Sequence, residues 1–295
     1  MGGTSGHVSL GLAFLIIGLW HLFNSIKLHS LHPKSYATQP WHPVSKFRHF
    51  EPITIMLVTT AFISSELFIG RQEPISPDGS IPSKNLPHLE HSVIALSFFV
   101  YALFCLLFDK ININSPSPSR NGLVHLVQAV AFGQQLLILH LHSTDKMGVE
   151  GQYHWLLQIV TFMSLITTIL AIRYPECFVN SFVRAFSVVL QGVWLIVMGV
   201  MLWTPGLMPK GCFLKPETGR VVVLCHDDRA LDRAKALVNI QFSLYLTVLT
   251  VFSMSLYVIM IMYYPREKVE YTPITKIQEQ DEGDCNFGAQ MRTKS

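Results

Sequence analysis

The sequence predicts an all-α membrane protein, a polytopic bundle of about seven transmembrane helices. Half of the 295 residues are hydrophobic and only 14% are Asp, Glu, Lys or Arg, whereas a soluble domain usually carries about 25% charged residues. The apolar residues come in blocks of about 20, which is the length that crosses about 30 Å of hydrocarbon as a helix. Prolines and polar residues separate these blocks.

Seven apolar blocks define the expected helices, and the chain beyond them changes character. In chain order the blocks are 8–26, 53–70, 91–108, 122–142, 155–172, 182–203 and 236–264. The residues after Pro265 are polar and acidic, which is typical of a disordered segment. We therefore expect a transmembrane domain over 1–264 and a disordered cytosolic tail over 265–295.

Basic residues near the helix ends predict the orientation and the partners of the chain. Lys27, Lys34, Lys46 and Arg48 lie in or beside the first connection, and no basic residue precedes the first block. Because cytosolic loops carry an excess of Lys and Arg, we expect an exoplasmic N-terminus and a cytosolic C-terminus. The net charge of +3 gives no reason to expect a nucleic-acid partner. The expected partner is the lipid bilayer, and no protein partner can be named.

Two cysteines in the last connection have spacing that suits a hairpin. Cys212 and Cys225 flank 213–224, in which residues 215–220 resemble a turn between two short extended runs. On the exoplasmic side, a disulfide between the two cysteines could close this hairpin. The alternative is a pair of unpaired thiols, because spacing alone does not give the geometry that a disulfide needs.

Polar residues recur within four of the blocks at steps of three and four, which keeps them on one helical face. Such residues are costly in lipid and tend to face the interior of a bundle, so we expect a hydrated or hydrogen-bonded core. The four faces carry His7, Gly11, Gly18, His21 and Ser25; His125, Gln128, Gln135 and His142; His154, Gln158, Thr161 and Thr168; and Asn239, Ser243, Thr250, Ser253 and Tyr257.

Helix alternation places one set of ionisable residues at a single membrane level, whichever way the bundle is oriented. His140 lies two positions before His142 and so points about 200° away from it. It could join the set only if the helix end were extended or irregular. The set comprises His7, Glu66, His91, His142 and His154, on five different helices.

These side chains suit a transition metal such as zinc, iron or copper, since neutral imidazole and carboxylate are the usual ligands. Glu66, as the only carboxylate within a predicted span, is the candidate general base. Gln135 and Gln191 are candidate hydrogen-bond partners of the ligand imidazoles. Without a metal, the same residues should form a hydrogen-bonded polar network, because unpaired polar groups at that depth are expensive.

The function that we expect first is a metal-binding membrane protein, with hydrolase or oxidase activity as one form of it. A proton or metal-ion transporter or channel is an alternative, as is a haem-binding redox protein with histidine pairs across helices. A seven-helix receptor is a further alternative, since seven spans alone say little about function. Whether the protein is an enzyme stays open.

Several short motifs resemble those of the transmembrane protein 45 family, also called domain of unknown function 716. The resemblance covers residues 2–264, and the proline-rich loops look like those of plant members. It implies a multi-pass protein of the endomembrane system or the plasma membrane, and it implies no reaction. The motifs are Gly6-His7, Gly18-Leu19-Trp20, Glu66, His91, His140-Leu141-His142, His154 and Leu190-Gln191-Gly192-Val193-Trp194.

Overall fold

A computed structural model describes residues 4–69, 78–82, 85–111, 118–141, 148–217 and 220–264. Seven helices in these ranges are long and apolar enough to cross a membrane, so the chain is an integral multi-pass membrane protein. The predicted tail lies outside the described residues. The helices are α1 (Thr4–Leu31), α2 (Phe50–Ser64, continued by a π-helical turn over Ser65–Ile69), α3 (Leu86–Ile111), α4 (Pro118–Leu141), α5 (Val149–Arg173), α6 (Phe178–Trp203) and α7 (Asp228–Tyr263).

Every helix begins several residues before the apolar block that predicts it. Helix α7 begins at Asp228, although its apolar block starts at residue 236. The side chain of Asp227 accepts a hydrogen bond from the backbone N–H of Ala230 at 2.7 Å, which satisfies one of the free donors at the helix start. Hydropathy therefore marks the apolar part of each helix, whereas capping and polar turns extend it further.

Helices α1 and α6 form the closest pair in the bundle. A Cβ atom added at Gly18 of α1 would lie 2.6 Å from the backbone nitrogen of Val189 on α6. A Cβ atom at Gly11 would lie 2.8 Å from the carbonyl oxygen of Gly192. Small residues let two membrane helices approach this closely, which replaces the hydrophobic driving force that is absent in lipid.

Contacts between neighbouring helices follow one order through the bundle, and α1 and α2 stand at the two ends of that order. Neighbouring pairs are α1–α6, α6–α5, α5–α4, α4–α3 and α3–α2. At the centre, the buried ring of Trp194 stacks on Tyr153 at a centroid distance of 5.0 Å and meets the edge of Phe242 at 4.9 Å. Its indole N–H donates to the Tyr153 carbonyl at 3.0 Å, so this buried donor is satisfied.

Helix α7 lies on the periphery, which corrects one expectation from the sequence. Of its predicted polar face, Ser253 is buried, but Asn239, Ser243 and Thr250 are exposed. The hydroxyls of Ser243 and Thr250 donate to carbonyls one turn earlier on the same helix, at 2.9 and 2.8 Å. Because a serine or threonine can satisfy its hydroxyl in this way, a polar stripe on a membrane helix does not require a polar interior.

A short hairpin joins α6 to α7. Strands β1 (Cys212–Glu217) and β2 (Arg220–Cys225) pair antiparallel with Cys212 opposite Cys225, and a disulfide links these two cysteines. The side chains of Val222 and Val223 are buried, and Val223 packs into the core that contains Trp194. The hairpin therefore covers the end of the bundle at which α1 begins and α6 ends.

The disulfide gives a direct test of the compartment that this end faces. We expect mass spectrometry of alkylated, non-reduced protein to recover the peptides of Cys212 and Cys225 linked, because disulfides persist in oxidising compartments. Recovery of both cysteines as free alkylated thiols would contradict the pairing and would remove one argument for an exoplasmic N-terminus. Cys105, which is buried and unpaired, serves as the internal thiol control after denaturation.

Candidate functional site

The π-helical turn at the end of α2 places Glu66 in the interior of the bundle, with 0% of the residue exposed. The Nδ1 atom of His88 donates to Glu66 Oε2 at 2.5 Å, and His91 Nδ1 lies 3.8 Å from the same oxygen. Within the described ranges, Glu66 Oε1 has no hydrogen-bond partner. These three residues, Glu66, His88 and His91, form what we call the Glu66 group. Single-turn π-helices are frequent at functional sites.

Two further histidines lie beside this group at the end where α1 begins. The ring centroid of His7 lies 6.0 Å from that of His91 and 6.2 Å from that of His154, and Trp203 stacks on His7 at 4.8 Å. His154 Nδ1 donates to the Glu150 carbonyl at 2.9 Å, so its Nε2 atom carries the lone pair. The structure therefore brings together residues from α1, α2, α3 and α5.

The remaining candidate ligands do not join them in the described structure. His140 is exposed and lies against Gln158 Oε1 at 3.2 Å, because α4 stays regular through Leu141. His142 lies outside the described residues. Within the described ranges, no three His, Cys, Asp or Glu side chains are arranged to hold a metal ion.

The two glutamines expected to support histidine ligands have a different role. Gln135 Nε2 donates to Gln191 Oε1 at 3.0 Å, and Gln191 Nε2 donates to Ser164 Oγ at 2.7 Å. Thr161 Oγ1 donates to the same Gln191 oxygen at 3.3 Å. These bonds join α4, α5 and α6 in the middle of the bundle, so Gln135 and Gln191 bond to each other instead of to an imidazole, and Gln135 Oε1 has no hydrogen-bond partner among the described residues. The spacing in the sequence predicted that both glutamines lie within the membrane, but it did not predict which side chains they bond to.

A second polar group, which the sequence did not reveal, lies at the opposite end of α2. Glu51 is buried, and its two carboxylate oxygens accept from Trp20 Nε1 at 2.9 Å, from His21 Nε2 at 2.7 Å and from the backbone N–H of His42 at 2.8 Å. We call Glu51, Trp20, His21 and His42 the Glu51 group. Glu51 precedes the second apolar block by two residues, so only its place in the first helical turn, before Pro52, could have signalled it.

Arg184, in the second turn of α6, is a further charged residue in the interior. Only 3% of it is exposed, and its guanidinium donates to His125 Nδ1 at 3.0 Å, to Thr38 Oγ1 at 3.2 Å and to the Gln39 carbonyl at 3.0 Å. Thr38 and Gln39 belong to the connection between α1 and α2. That connection therefore folds back against α6 instead of lying in solvent.

An elongated cavity of about 460 Å³ runs between the two polar groups. It follows α1 from Ser9 to His21, twelve residues or about 18 Å of helix. At one end it reaches His91 of the Glu66 group, and at the other it reaches His21 and Glu51. The rings of Phe14, Phe98 and Phe132, which touch in succession at centroid distances of 5.5 and 5.4 Å, form part of its wall.

His42, in the connection between α1 and α2, is buried and makes stability sensitive to acid. Burial first, and then the charges of His21 and Arg184, lower the pKa of His42 well below its ordinary value. The unfolded chain binds this proton below about pH 6.5, whereas the folded chain does not. Stability from this group is therefore complete above that pH and falls by up to about 1.4 kcal/mol per pH unit below it.

We therefore expect the thermal midpoint of the purified protein to fall as the pH drops from about 6.5 towards about 5. A His42→Gln substitution keeps the backbone N–H that Glu51 accepts and removes the titrating ring. It should make the midpoint less dependent on pH over this interval. Equal slopes for the variant and the original chain would contradict the assignment of this sensitivity to His42.

Two comparisons with known proteins agree with this architecture. The family described as a family of unknown function (DUF716) matches residues 121–258, which run from the start of α4 into α7. The chain is also 24% identical over 219 residues to transmembrane epididymal protein 1A of Mus musculus, with 70% of this chain and 68% of that protein covered. With the seven membrane-spanning helices, these matches support the assignment of the chain to the DUF716 family.

Proposed function

We propose that this protein binds a single-chain, lipid-like molecule inside its helix bundle. The chain of the molecule would occupy the apolar cavity, and its polar head would lie at the Glu51 group. The observation that carries this proposal is the cavity itself. Most of its wall is apolar, and His21, Glu51 and Arg184 line its polar end.

The size and the lining of the cavity fit such a molecule. Its volume of about 460 Å³ lies within the range of roughly 300–1,000 Å³ that small-molecule sites occupy. Its length of about 18 Å along α1 slightly exceeds one leaflet of a hydrocarbon core about 30 Å thick. An apolar cavity does not retain water, so an aliphatic chain is the occupant that its walls favour.

The cavity also has an entrance from the side. Ile16 of α1 and Val58 of α2 both line the cavity, and they are 64% and 42% exposed. Their positions place the opening between α1 and α2, which are the first and the last helix in the series of neighbouring pairs. In a membrane this opening faces lipid tails, so a lipid could enter without crossing water.

Photolabelling of the protein in nanodiscs tests the proposal. A palmitate analogue with a diazirine on its chain should label residues that line the cavity, and Ala13→Trp should reduce that labelling by filling the space. Leu12→Trp is the matched control, because Leu12 is the adjacent residue, is 46% exposed and does not line the cavity. Equal labelling of the two variants would contradict a ligand in the cavity.

A transition metal held by His7, His91 and His154 is the second candidate; it would require these rings to move, because no three such side chains in the described ranges are arranged to hold an ion. Metal–nitrogen bonds of about 2.0–2.1 Å place the ring centroids of two imidazoles on one ion about 5 Å apart. The centroids of His91 and His154 lie 6.0 and 6.2 Å from that of His7, so each of these two rings would need to approach the ring of His7 by about 1 Å. Glu66 would then act as a ligand or as a general base.

Elemental analysis distinguishes this candidate from a metal-free polar network. Stoichiometric zinc, iron or copper that is lost in His154→Ala and kept in His140→Ala would support it, because His140 is exposed and apart from the group. A metal-free preparation of the original chain would contradict it. An absorption spectrum of the same sample covers the haem alternative, which requires a Soret band.

A further inference from the structure

Arg184 holds an unusual position, because it is a permanent charge on the wall of an apolar cavity. It is 3% exposed, and it lines the cavity beside Ala185 and Val188 of α6. Burying a guanidinium is costly unless its charge is balanced and its donors are bonded. The groups that surround it therefore indicate what the cavity is built to receive.

Among the described residues, the hydrogen-bond acceptors of Arg184 carry no negative charge. In the part of the chain that the structure describes, its hydrogen bonds go to the ring of His125, the hydroxyl of Thr38 and the carbonyl of Gln39. No carboxylate in the same ranges lies within ion-pair distance of it. His125 Nδ1 lies 3.0 Å from the guanidinium and 3.2 Å from the side-chain amide of Gln128. Because a guanidinium can only donate, Nδ1 accepts, the proton of a neutral His125 sits on Nε2, and the Gln128 amide presents its NH₂ group to the ring.

The acidic residue that lines the same end of the cavity already accepts hydrogen bonds from other donors. Glu51 lines the same end of the cavity, and its oxygens accept from Trp20, His21 and the backbone of His42. These three bonds stabilise the carboxylate where it is, and none of them comes from Arg184. The negative charge of Glu51 therefore offsets part of the positive electrostatic potential around Arg184, but the two side chains form no ion pair.

We infer that Arg184 binds the anionic head group, carboxylate or phosphate, of the single-chain lipid in the cavity. This inference rests on the proposed function and names the class of its ligand. A guanidinium matches both oxyanions geometrically, and a hydrogen bond between opposite charges is about twice as strong as a neutral one. A cationic head group would be repelled by the guanidinium, and a neutral one would leave the guanidinium without an anionic partner.

Other groups at this end could complete the site. Gln128 lines the cavity and provides amide donors, and the Tyr101 hydroxyl, which also lines it, donates to the carbonyl of Pro40. His125 Nε2 is buried and has no hydrogen-bond partner among the described residues. Because buried donors normally have a partner, this N–H is a further group that an oxyanion or an ordered water would satisfy.

A comparison of matched ligands tests the inference on the original chain, so it does not depend on a variant that folds. Palmitate, hexadecyl phosphate, hexadecanol and hexadecylamine share one chain and differ in the head. In nanodiscs of neutral lipid, each would compete with a fluorescent fatty acid for the protein. We expect at least one of the two anions to bind about 10–100-fold more tightly than the alcohol, as one charge-assisted interaction implies, and the amine to bind least.

Each outcome of this competition has one consequence. Tighter binding of palmitate than of the phosphate would identify a fatty acid, and the reverse order would identify a phosphate-bearing lipid. Equal binding of acid, phosphate and alcohol, sensitive to Ala13→Trp, would overturn the anionic head group and leave the cavity proposal intact. Failure of all four to compete at any concentration would overturn both proposals.

Two substitutions connect the preference to Arg184. Arg184→Gln should remove the difference between palmitate and hexadecanol, because it removes the charge that distinguishes the two head groups. Arg173→Gln is the matched control, because Arg173 is an exposed residue at the end of α5 and should keep the preference. If Arg184→Gln folds and still distinguishes acid from alcohol, the role assigned to Arg184 is wrong.

Discussion

Replacing Gly192 by leucine is expected to abolish folding of the bundle. A Cβ atom at this position would collide with the backbone nitrogen of Leu15, and it would lie 2.6 Å from Leu15 Cα and 2.8 Å from the Gly11 carbonyl oxygen. Overpacking of a core usually costs about 1–3 kcal/mol. Here the cost should exceed that range, since the colliding atoms belong to the backbone of α1 and cannot rotate away.

Size-exclusion chromatography of a fluorescent fusion in detergent measures this effect as loss of the monodisperse peak. Gly133→Ala is the control, because its nearest neighbour, Leu165 Cδ1, lies 3.9 Å from the added atom. Alanine also favours a helix over glycine by about 1 kcal/mol, so this variant should be as stable as the original chain or more so. A monodisperse Gly192→Leu protein would contradict the packing of α1 on α6.

Removal of the Glu51 carboxylate should have the second-largest effect. Glu51→Ala leaves Trp20 Nε1, His21 Nε2 and the His42 backbone N–H without the acceptor that they share. An unpaired buried donor costs about 1–3 kcal/mol, so three of them cost about 3–9 kcal/mol. That loss is comparable to the whole stability of a typical domain, about 5–15 kcal/mol.

The thermal midpoint in detergent checks this prediction. Glu51→Gln should lie between the alanine variant and the original chain, because the amide keeps one accepting oxygen and presents an NH₂ group to the remaining donors. Glu176→Ala is the control, since Glu176 is exposed in the connection between α5 and α6 and should leave the midpoint unchanged. A Glu51→Ala midpoint equal to that of the original chain would show that these donors find other partners.

The helices could be predicted from the sequence because hydropathy and length alone decide whether a segment spans a membrane. The seven blocks correspond to α1–α7 in order. Helix alternation alone also explains why His7, Glu66, His91 and His154 lie at one end of the bundle. These properties depend on local composition and on chain direction, and both can be read from a single sequence.

Partners across helices could not be predicted, because they depend on how each helix rotates against its neighbours. The pairing of Gln135 with Gln191 and the exposure of Asn239 and Ser243 are examples. The burial of Arg184 and His42 could not be predicted for a related reason, since the connection between α1 and α2 folds inward against the helices. The hydrophilic sequence of this connection does not show that it folds inward, because its polar groups form hydrogen bonds with residues that are distant in the sequence.

The most direct test of the central claim is the density inside the cavity when the protein is imaged by electron cryomicroscopy in lipid nanodiscs. We expect an elongated density between α1, α2 and α3, alongside Phe14 and Phe98, with its head against Arg184 and its side visible through the opening at Ile16 and Val58. A bundle in which α1 closes against α2 and side chains fill this space would contradict it.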